Sequence, residues 1–255
     1  MSLNIPLSAY SGAKKEYIDD QGSPSEMVGI NIVEIEQAII QRVIKDVNLR
    51  EELGRISRKL KGRKDLDIYT DGSLVVDSSS GRDEKKMGVE WVLLDENSES
   101  SNFSFKCRIV DWPSSTRAEL GAIWTAILVA PYEANIRVFT DSKAAIEGIQ
   151  NFKDLTSIRS NFKTKNRSLI SQIIDCCKTK MIKLELIKVK GHSKNIWNDK
   201  ADSLAKKGLL SGLILEAQEV TTSSIRVTPL WKNKTIDCVL RTFVNITTAT
   251  VYKTA

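Results

Sequence analysis

The middle of the chain carries an almost wholly apolar segment that contains a single carboxylate. Pro113 and the serines that follow it predict the start of a helix, and Pro131 predicts its end. After Glu119 the segment reads LGAIWTAILVA, in which Thr125 is the one polar side chain. A helix that is apolar on all sides is buried on most of them. The fold must therefore surround this helix, where a charged Glu119 is costly unless it is paired or bound to a metal.

Short apolar runs with strand character flank this helix, and further helical patterns alternate with the later ones. The predicted strands are residues 66–70 (LDIYT), 87–94 (MGVEWVLL), 102–110, 136–140 (IRVFT) and 182–189. The other predicted helices are residues 142–150, 163–178 and 198–208. Three consecutive strands, followed by strands that alternate with helices, predict an α/β fold with a five-stranded mixed sheet flanked by helices.

Composition divides the chain into four parts. We expect a flexible tail over residues 1–28, a helical and basic extension over 29–65, the α/β domain over 66–208, and a C-terminal extension over 209–255. The first extension ends in RISRKLKGRK, whose six positive charges suit either a solvated helix end or a nucleic-acid contact. The apolar runs of the last part leave open whether it forms a small domain or packs onto the first.

The charge and cysteine content restrict the class of protein. The 255 residues have a net charge of +6, and residues 151–190 alone hold ten basic and three acidic side chains. This distribution favours a polyanionic partner. The sequence has no secretory signal and no apolar run long enough to span a bilayer, and the four cysteines form no CxxC pair. We therefore expect an intracellular protein, cytoplasmic or nuclear, that makes no membrane contact.

Four carboxylates occupy positions where charge is costly or repelled. Asp71 follows the first strand, Asp141 follows the fourth, Glu119 lies in the apolar helix and Asp202 lies in the last helix. The two strand-end carboxylates repel each other if their strands are neighbours, and a hard divalent cation with oxygen ligands relieves that repulsion. Each carboxylate also has an ordinary structural explanation: a turn at Asp71–Gly72, a capping box from Thr116 to Glu119, helix capping by Asp141 or Ser142, and an ion pair of Asp202 with Lys206.

Five motifs stand in a fixed order on these elements. They are DGS after the first strand, TRAEL in the apolar helix, TDSKAAI after the fourth strand, VKGHS after the fifth and NDKADSLAKKG on the last helix. Together they resemble type 1 ribonuclease H over residues 66–208. The resemblance is closest to the ribonuclease H domain of non-LTR retrotransposon polyproteins, because a strand like MGVEWVLL follows DGS without a glycine-rich turn.

The resemblance implies a function and a set of roles. The activity would be endonucleolytic cleavage of the RNA strand of RNA–DNA hybrids, which leaves a 5′-phosphate and a 3′-hydroxyl. Asp71, Glu119, Asp141 and Asp202 would hold two Mg²⁺ or Mn²⁺ ions, and His192 would assist proton transfer or product departure. The alternative is a catalytically silent, nucleic-acid-binding remnant of a retrotransposon polyprotein. We expect a monomer, and the sequence leaves a reverse transcriptase partner undetermined.

Substrate contacts follow from the same resemblance. Backbone amides and small polar side chains that read 2′-hydroxyls in the minor groove would be Gly72, Ser73, Ser115 and Thr116. A second set of basic residues suits either contacts to the DNA-strand phosphates or a solvated helix face. That set consists of Lys153, Arg159, Lys163, Lys165 and Arg167.

Overall fold

A six-stranded mixed sheet forms the centre of the protein. The computed structural model describes residues 32–78, 84–94, 103–152, 163–190, 208–217, 229–232 and 234–244. The strands are β1 (Asp65–Asp77), β2 (Glu84–Leu93), β3 (Ser104–Ile109), β4 (Asn135–Thr140), β5 (Lys183–Lys188) and β6 (Ile214–Leu215). Their order in the sheet is β5-β4-β1-β2-β3-β6.

The strand directions follow from the connections along the chain. β1, β2 and β3 are consecutive and pair antiparallel, whereas β4 pairs parallel with β1, and β5 pairs parallel with β4. This arrangement confirms the predicted α/β class with a mixed sheet. The predicted count of five strands is wrong by one, because β6 of the C-terminal extension pairs parallel with β3. A strand of two residues has too few side chains to produce a recognisable pattern.

Helices cover the sheet. They are α1 (Ile32–Val43), α2 (Val47–Leu60), α3 (Ser115–Val129), α4 (Lys143–Gln150) and α5 (Arg167–Thr179). Every residue of α3 from Arg117 to Val129 is buried, as its apolar sequence predicts. Trp124 and Ile127 of this helix belong to the same core as Ile68 and Val89 of the sheet. In the described parts of the chain, no helix combines the length and apolar character that crossing a membrane requires.

The two N-terminal helices pack into the same core as the sheet. Leu49 and Leu53 of α2 are fully buried in it, and the helical pattern predicted from residue 29 onward breaks between α1 and α2. Asp46 caps α2, since its carboxylate accepts the amide hydrogen of Leu49 at 2.7 Å. Glu36 of α1 accepts the amide hydrogen of Tyr132 at 2.8 Å, just beyond the end of α3. The boundary predicted at residue 65 thus falls between elements that share one core.

The described part of the C-terminal extension also packs onto the sheet domain. It contributes β6 and an antiparallel pair of short strands, β7 (Leu230–Trp231) and β8 (Lys234–Thr235), followed by a helical turn over residues 240–244. Asp237 lies between these pieces and is almost fully buried. Its carboxylate accepts hydrogen bonds from Arg117 Nη1 at 2.7 Å and from Ser168 Oγ at 2.6 Å. The extension is therefore fixed to the N-terminal ends of α3 and α5.

Candidate active site

Two of the predicted carboxylates lie where β1 and β4 separate. The two strands pair in parallel from Asp65 opposite Asn135 to Tyr69 opposite Phe139. β1 then continues through Asp71 to Asp77 with β2 as its partner, so the strand runs well past the predicted end at residue 70. Asp141 follows directly after β4. Both aspartates therefore lie at the same edge of the sheet, just beyond the last β1–β4 pair.

The third carboxylate, Glu119, is positioned by a close approach between α3 and β1. A Cβ atom added to Gly72 would lie 2.2 Å from the amide nitrogen of Glu119 and 2.4 Å from the carbonyl carbon of Ala118. Because the atoms contacted belong to the backbone, a larger residue could be accommodated only if α3 moved away from β1, so only glycine permits this approach. The Gly72 amide in turn donates a hydrogen bond to the Glu119 carboxylate. The residue after Asp71 thus fixes the position of Glu119.

A threonine at the end of β4 completes the support of Glu119. The Thr140 hydroxyl is fully buried and lies 3.4 Å from Glu119 Oε2, to which it donates. The hydroxyl oxygen of Thr140 in turn accepts the amide hydrogen of Ser142 at 3.1 Å. Because Ser142 follows Asp141, this pair of bonds links the backbone on both sides of Asp141 to the carboxylate of Glu119.

These contacts bring three carboxylates together. Asp71, Glu119 and Asp141 each offer a carboxylate oxygen, and those oxygens all lie within 4.8 Å of one another. Glu119 is only 6% exposed. Burial, followed by the charges of Asp71 and Asp141, raises the pKa of Glu119 well above its ordinary range, although the Gly72 amide and the Thr140 hydroxyl act against the rise. The cluster therefore brings three acidic groups together at one end of the sheet, one of them buried.

The ordinary structural explanations for these three residues do not fit the geometry. Ser114 caps α3, since its hydroxyl accepts the amide hydrogen of Arg117 at 3.1 Å, and this places Glu119 too far along the helix for a capping box. Ser142, and not Asp141, caps α4. Asp71 lies inside a continuing strand rather than in a turn.

The donor set fits a hard divalent cation. All three groups supply oxygen, which Mg²⁺ and Mn²⁺ prefer over nitrogen or sulfur. Three carboxylates at this separation repel one another in the absence of a cation, and the charges of Asp71 and Asp141 add to burial, the larger cause, in raising the pKa of Glu119. Asp202 and His192, the other predicted site residues, lie outside the described residues.

The predicted substrate-contacting residues lie beside this cluster. Gly72 and Ser73 follow Asp71 on β1, while Ser115 and Thr116 form the first turn of α3. Ser115 is exposed and Thr116 is half-buried. All four are therefore within a few residues of Asp71 or Glu119.

The basic residues are less available than the sequence suggests. Arg167 is fully buried and cannot reach a phosphate, which corrects one of the predicted contacts. Lys180 is also fully buried, and its Nζ donates to the carbonyl of Leu128 at 2.9 Å, where it caps the C-terminal end of α3. Lys163 and Lys165 are exposed, while Lys153 and Arg159 lie outside the described residues. Two basic residues of the segment 151–190, Arg167 and Lys180, are thus buried and are not available to a nucleic acid.

Sequence reasoning did not identify two features of the site. Thr140 could have been suspected, because it stands directly before Asp141 in FTDSK. The link from Arg117 through Asp237 to Ser168 had no local signal, since 120 residues separate Arg117 from Asp237. Such pairs depend on tertiary packing, which periodicity does not report.

Comparison with known proteins places the chain among nucleases. It is 27% identical over 148 residues to ribonuclease HI of Campylobacter jejuni, an alignment that covers 58% of this chain and 92% of that protein. It is 30% identical over 101 residues to ribonuclease H of Methylobacillus flagellatus, covering 38% of this chain and 66% of the relative. The solution structure of the PFV RNase H domain superposes with a TM-score of 0.43 at 24% identity, covering 58% of this chain and 96% of that domain. The sequence profile of the RNase H family matches residues 27–210, from before α1 to the start of the C-terminal extension, and the chain therefore belongs to the ribonuclease H family.

Proposed function

We propose that this protein is an endoribonuclease that cleaves the RNA strand of RNA–DNA hybrids, leaving a 5′-phosphate and a 3′-hydroxyl. The observation that carries the proposal is the meeting of Asp71, Glu119 and Asp141 within 4.8 Å in a chain of the ribonuclease H family. Together with Asp202 they would hold two Mg²⁺ or Mn²⁺ ions. When bound, such ions supply an activated water and stabilise the leaving 3′-oxygen.

The chain's own residues hold these carboxylates in place. The Gly72 amide and the Thr140 hydroxyl both donate hydrogen bonds to the Glu119 carboxylate, which favours its charged form and opposes part of the rise in pKa that burial causes. Asp71 is held by the ladder between β1 and β2, and Asp141 by its position between β4 and the capping residue of α4. Rigid elements on every side preorganise the oxygens for a cation.

The substrate would lie across the same end of α3. We assign Gly72, Ser73, Ser115 and Thr116 to contacts with the sugar edge of the hybrid, because 2′-hydroxyls are what distinguish an RNA strand in a shallow minor groove. We assign His192 to proton transfer or product departure. The likeness to ribonuclease H domains of non-LTR retrotransposons stays part of the proposal and rests on the strand MGVEWVLL, which follows DGS without a glycine-rich turn.

A cleavage assay tests the proposed activity. An end-labelled RNA–DNA hybrid should be cut by the wild-type protein in Mg²⁺ and left intact in excess chelator, while duplex DNA should stay intact in both. Asp71→Asn and Asp141→Asn should abolish cutting, because each removes a charged ligand. Lys143→Ala, an exposed residue whose only described partner is Glu147, is the matched control and should cut at the wild-type rate.

The outcome separates the proposal from its rival. If the wild-type protein binds the hybrid but neither cuts it nor takes up Mg²⁺ or Mn²⁺ in a calorimetric titration, the chain is a silent nucleic-acid-binding remnant. Equal cutting by Asp71→Asn and wild type would refute the assigned site. Sedimentation of the same samples tests the expected monomer.

A further inference from the structure

The C-terminal extension presents an exposed aromatic and basic surface next to α3. Its residues are Leu230, Trp231, Lys232, Arg241 and Phe243, and we call this set the C-terminal surface. Leu230 is 52% exposed and Trp231 is 47% exposed, and both basic side chains are exposed. A large aromatic side chain exposed to this degree among basic residues is characteristic of a binding surface.

The aromatic part of this surface is built onto the domain. The ring of Phe243 stands edge to face between Trp231 and Trp112, with centroid distances of 5.6 Å to each. Trp112 is itself fixed, because its Nε1 donates to the carbonyl of Thr235 at 2.6 Å. Lys234 holds the turn between β7 and β8 to Asp111 by an ion pair of 2.7 Å. The indole of Trp231 therefore packs against the ring of Phe243, while about half of the residue stays exposed to solvent.

The location links this surface to the candidate active site. Trp112 lies two residues before Ser114, the capping residue of α3. The buried ion pair between Arg117 and Asp237 anchors the extension to α3, and Arg117 lies two residues before Glu119. Ser115 and Thr116, proposed to contact the hybrid, form the same end of α3. The C-terminal surface and the candidate active site are therefore both supported by the N-terminal part of α3.

The charge of the surface selects the partner. Residues 229–244 hold three basic side chains and one acidic side chain, and the acidic one, Asp237, is buried against Arg117. Lys165 adds a further exposed charge at this edge: burial raises the pKa of the neighbouring Cys238 thiol, while Lys165 acts to lower it. A positive surface with an open indole suits a phosphate backbone whose bases are free to stack.

We propose that the C-terminal surface binds a single-stranded segment of nucleic acid that continues from the hybrid at the candidate active site. Bases inside a duplex already stack on one another, so an exposed indole gains most from unpaired bases. This inference rests on the proposed function for the position of the hybrid, but the single-strand affinity itself can be measured without any cleavage.

The first test is binding of a fluorescent oligothymidylate by the full chain, followed by anisotropy. Trp231→Ala should raise the Kd about ten-fold, and Trp231→Phe should restore most of the affinity, because a ring remains for stacking. Leu210→Ala, at a 90% exposed apolar residue outside the surface, is the matched control and should leave the Kd unchanged. Lys232→Glu with Arg241→Glu should weaken binding and flatten its salt dependence.

The second test compares hybrids with and without a single-stranded DNA tail. The wild-type protein should show a lower KM for a hybrid that carries the single-stranded tail than for the blunt hybrid. Trp231→Ala should remove this difference in KM and should still cut the blunt hybrid at the wild-type rate. The inference would be overturned if Trp231→Ala bound the oligothymidylate with the same Kd as the wild-type protein. A dimer that dissociates on Trp231→Ala, with unchanged oligonucleotide binding, would overturn it as well and assign the surface to a second copy. Absence of any hybrid cleavage, with the oligothymidylate result intact, would instead overturn the proposed function alone.

Discussion

Replacing Gly72 by alanine tests how the site is assembled. The new Cβ atom would lie 2.2 Å from the amide nitrogen of Glu119, whereas an ordinary contact is at least 3.4 Å. The start of α3 must therefore move away from β1 by about 1.2 Å, and Glu119 moves with it while Asp71 stays in the sheet. Overpacking of this kind costs about 1–3 kcal/mol of stability. A displacement of about 1 Å in a catalytic group lowers the rate by roughly 100-fold.

The assay is hybrid cleavage in Mg²⁺ together with urea unfolding of the same preparations. Gly212→Ala is the matched control, because a Cβ atom at Gly212 meets nothing within 4 Å. We expect Gly72→Ala to fold with reduced stability and to cut about 100-fold more slowly, and Gly212→Ala to behave as wild type in both measurements. A Gly72→Ala protein that cuts at the wild-type rate would refute the claim that this contact positions Glu119.

Three other perturbations have defined outcomes. Without divalent cations, the raised pKa of Glu119 means that the folded state binds a proton more tightly than the unfolded state does. The free energy of unfolding should therefore fall as pH rises above the ordinary glutamate range. Urea titrations in chelator from about pH 5 to pH 9 should show this fall in wild type and a smaller fall in Glu119→Gln. Asp237→Ala leaves Arg117 buried without its carboxylate partner and should cost about 3–5 kcal/mol in urea unfolding, whereas loss of the exposed Lys143 should cost less than about 1 kcal/mol. Ser114→Ala removes the cap of α3 and should cost about 1 kcal/mol by the same measurement; no loss would contradict the capping role.

The fold was predictable wherever burial leaves a periodic trace in the sequence. The apolar run after Glu119 predicts a surrounded helix, and α3 is surrounded. The five predicted strands correspond to β1 through β5, but the sixth strand has two residues and gains its partner, β3, from packing alone. The break between α1 and α2 was missed because Asp46 caps a helix inside a stretch whose apolar spacing hardly changes.

The candidate site was predictable only in part for a related reason. Asp71, Glu119 and Asp141 could be singled out because charge next to buried elements is unusual. Their mutual distance follows from the point where β1 leaves β4 and from the contact at Gly72, and both are tertiary features. Arg167 and Lys180 illustrate the opposite failure, since a basic residue counted as surface charge in the sequence can be buried in the structure.

The dependence of hybrid cleavage on divalent cation concentration tests the central claim most directly. The rate for the wild-type protein should be negligible in chelator, rise with added Mg²⁺ or Mn²⁺ and saturate, because in the proposed mechanism the clustered carboxylates act by holding the cation. In Asp141→Asn the rate should stay near zero across the same range. Cleavage that proceeds fully in chelator, or that follows the same curve in Asp141→Asn, would contradict the account.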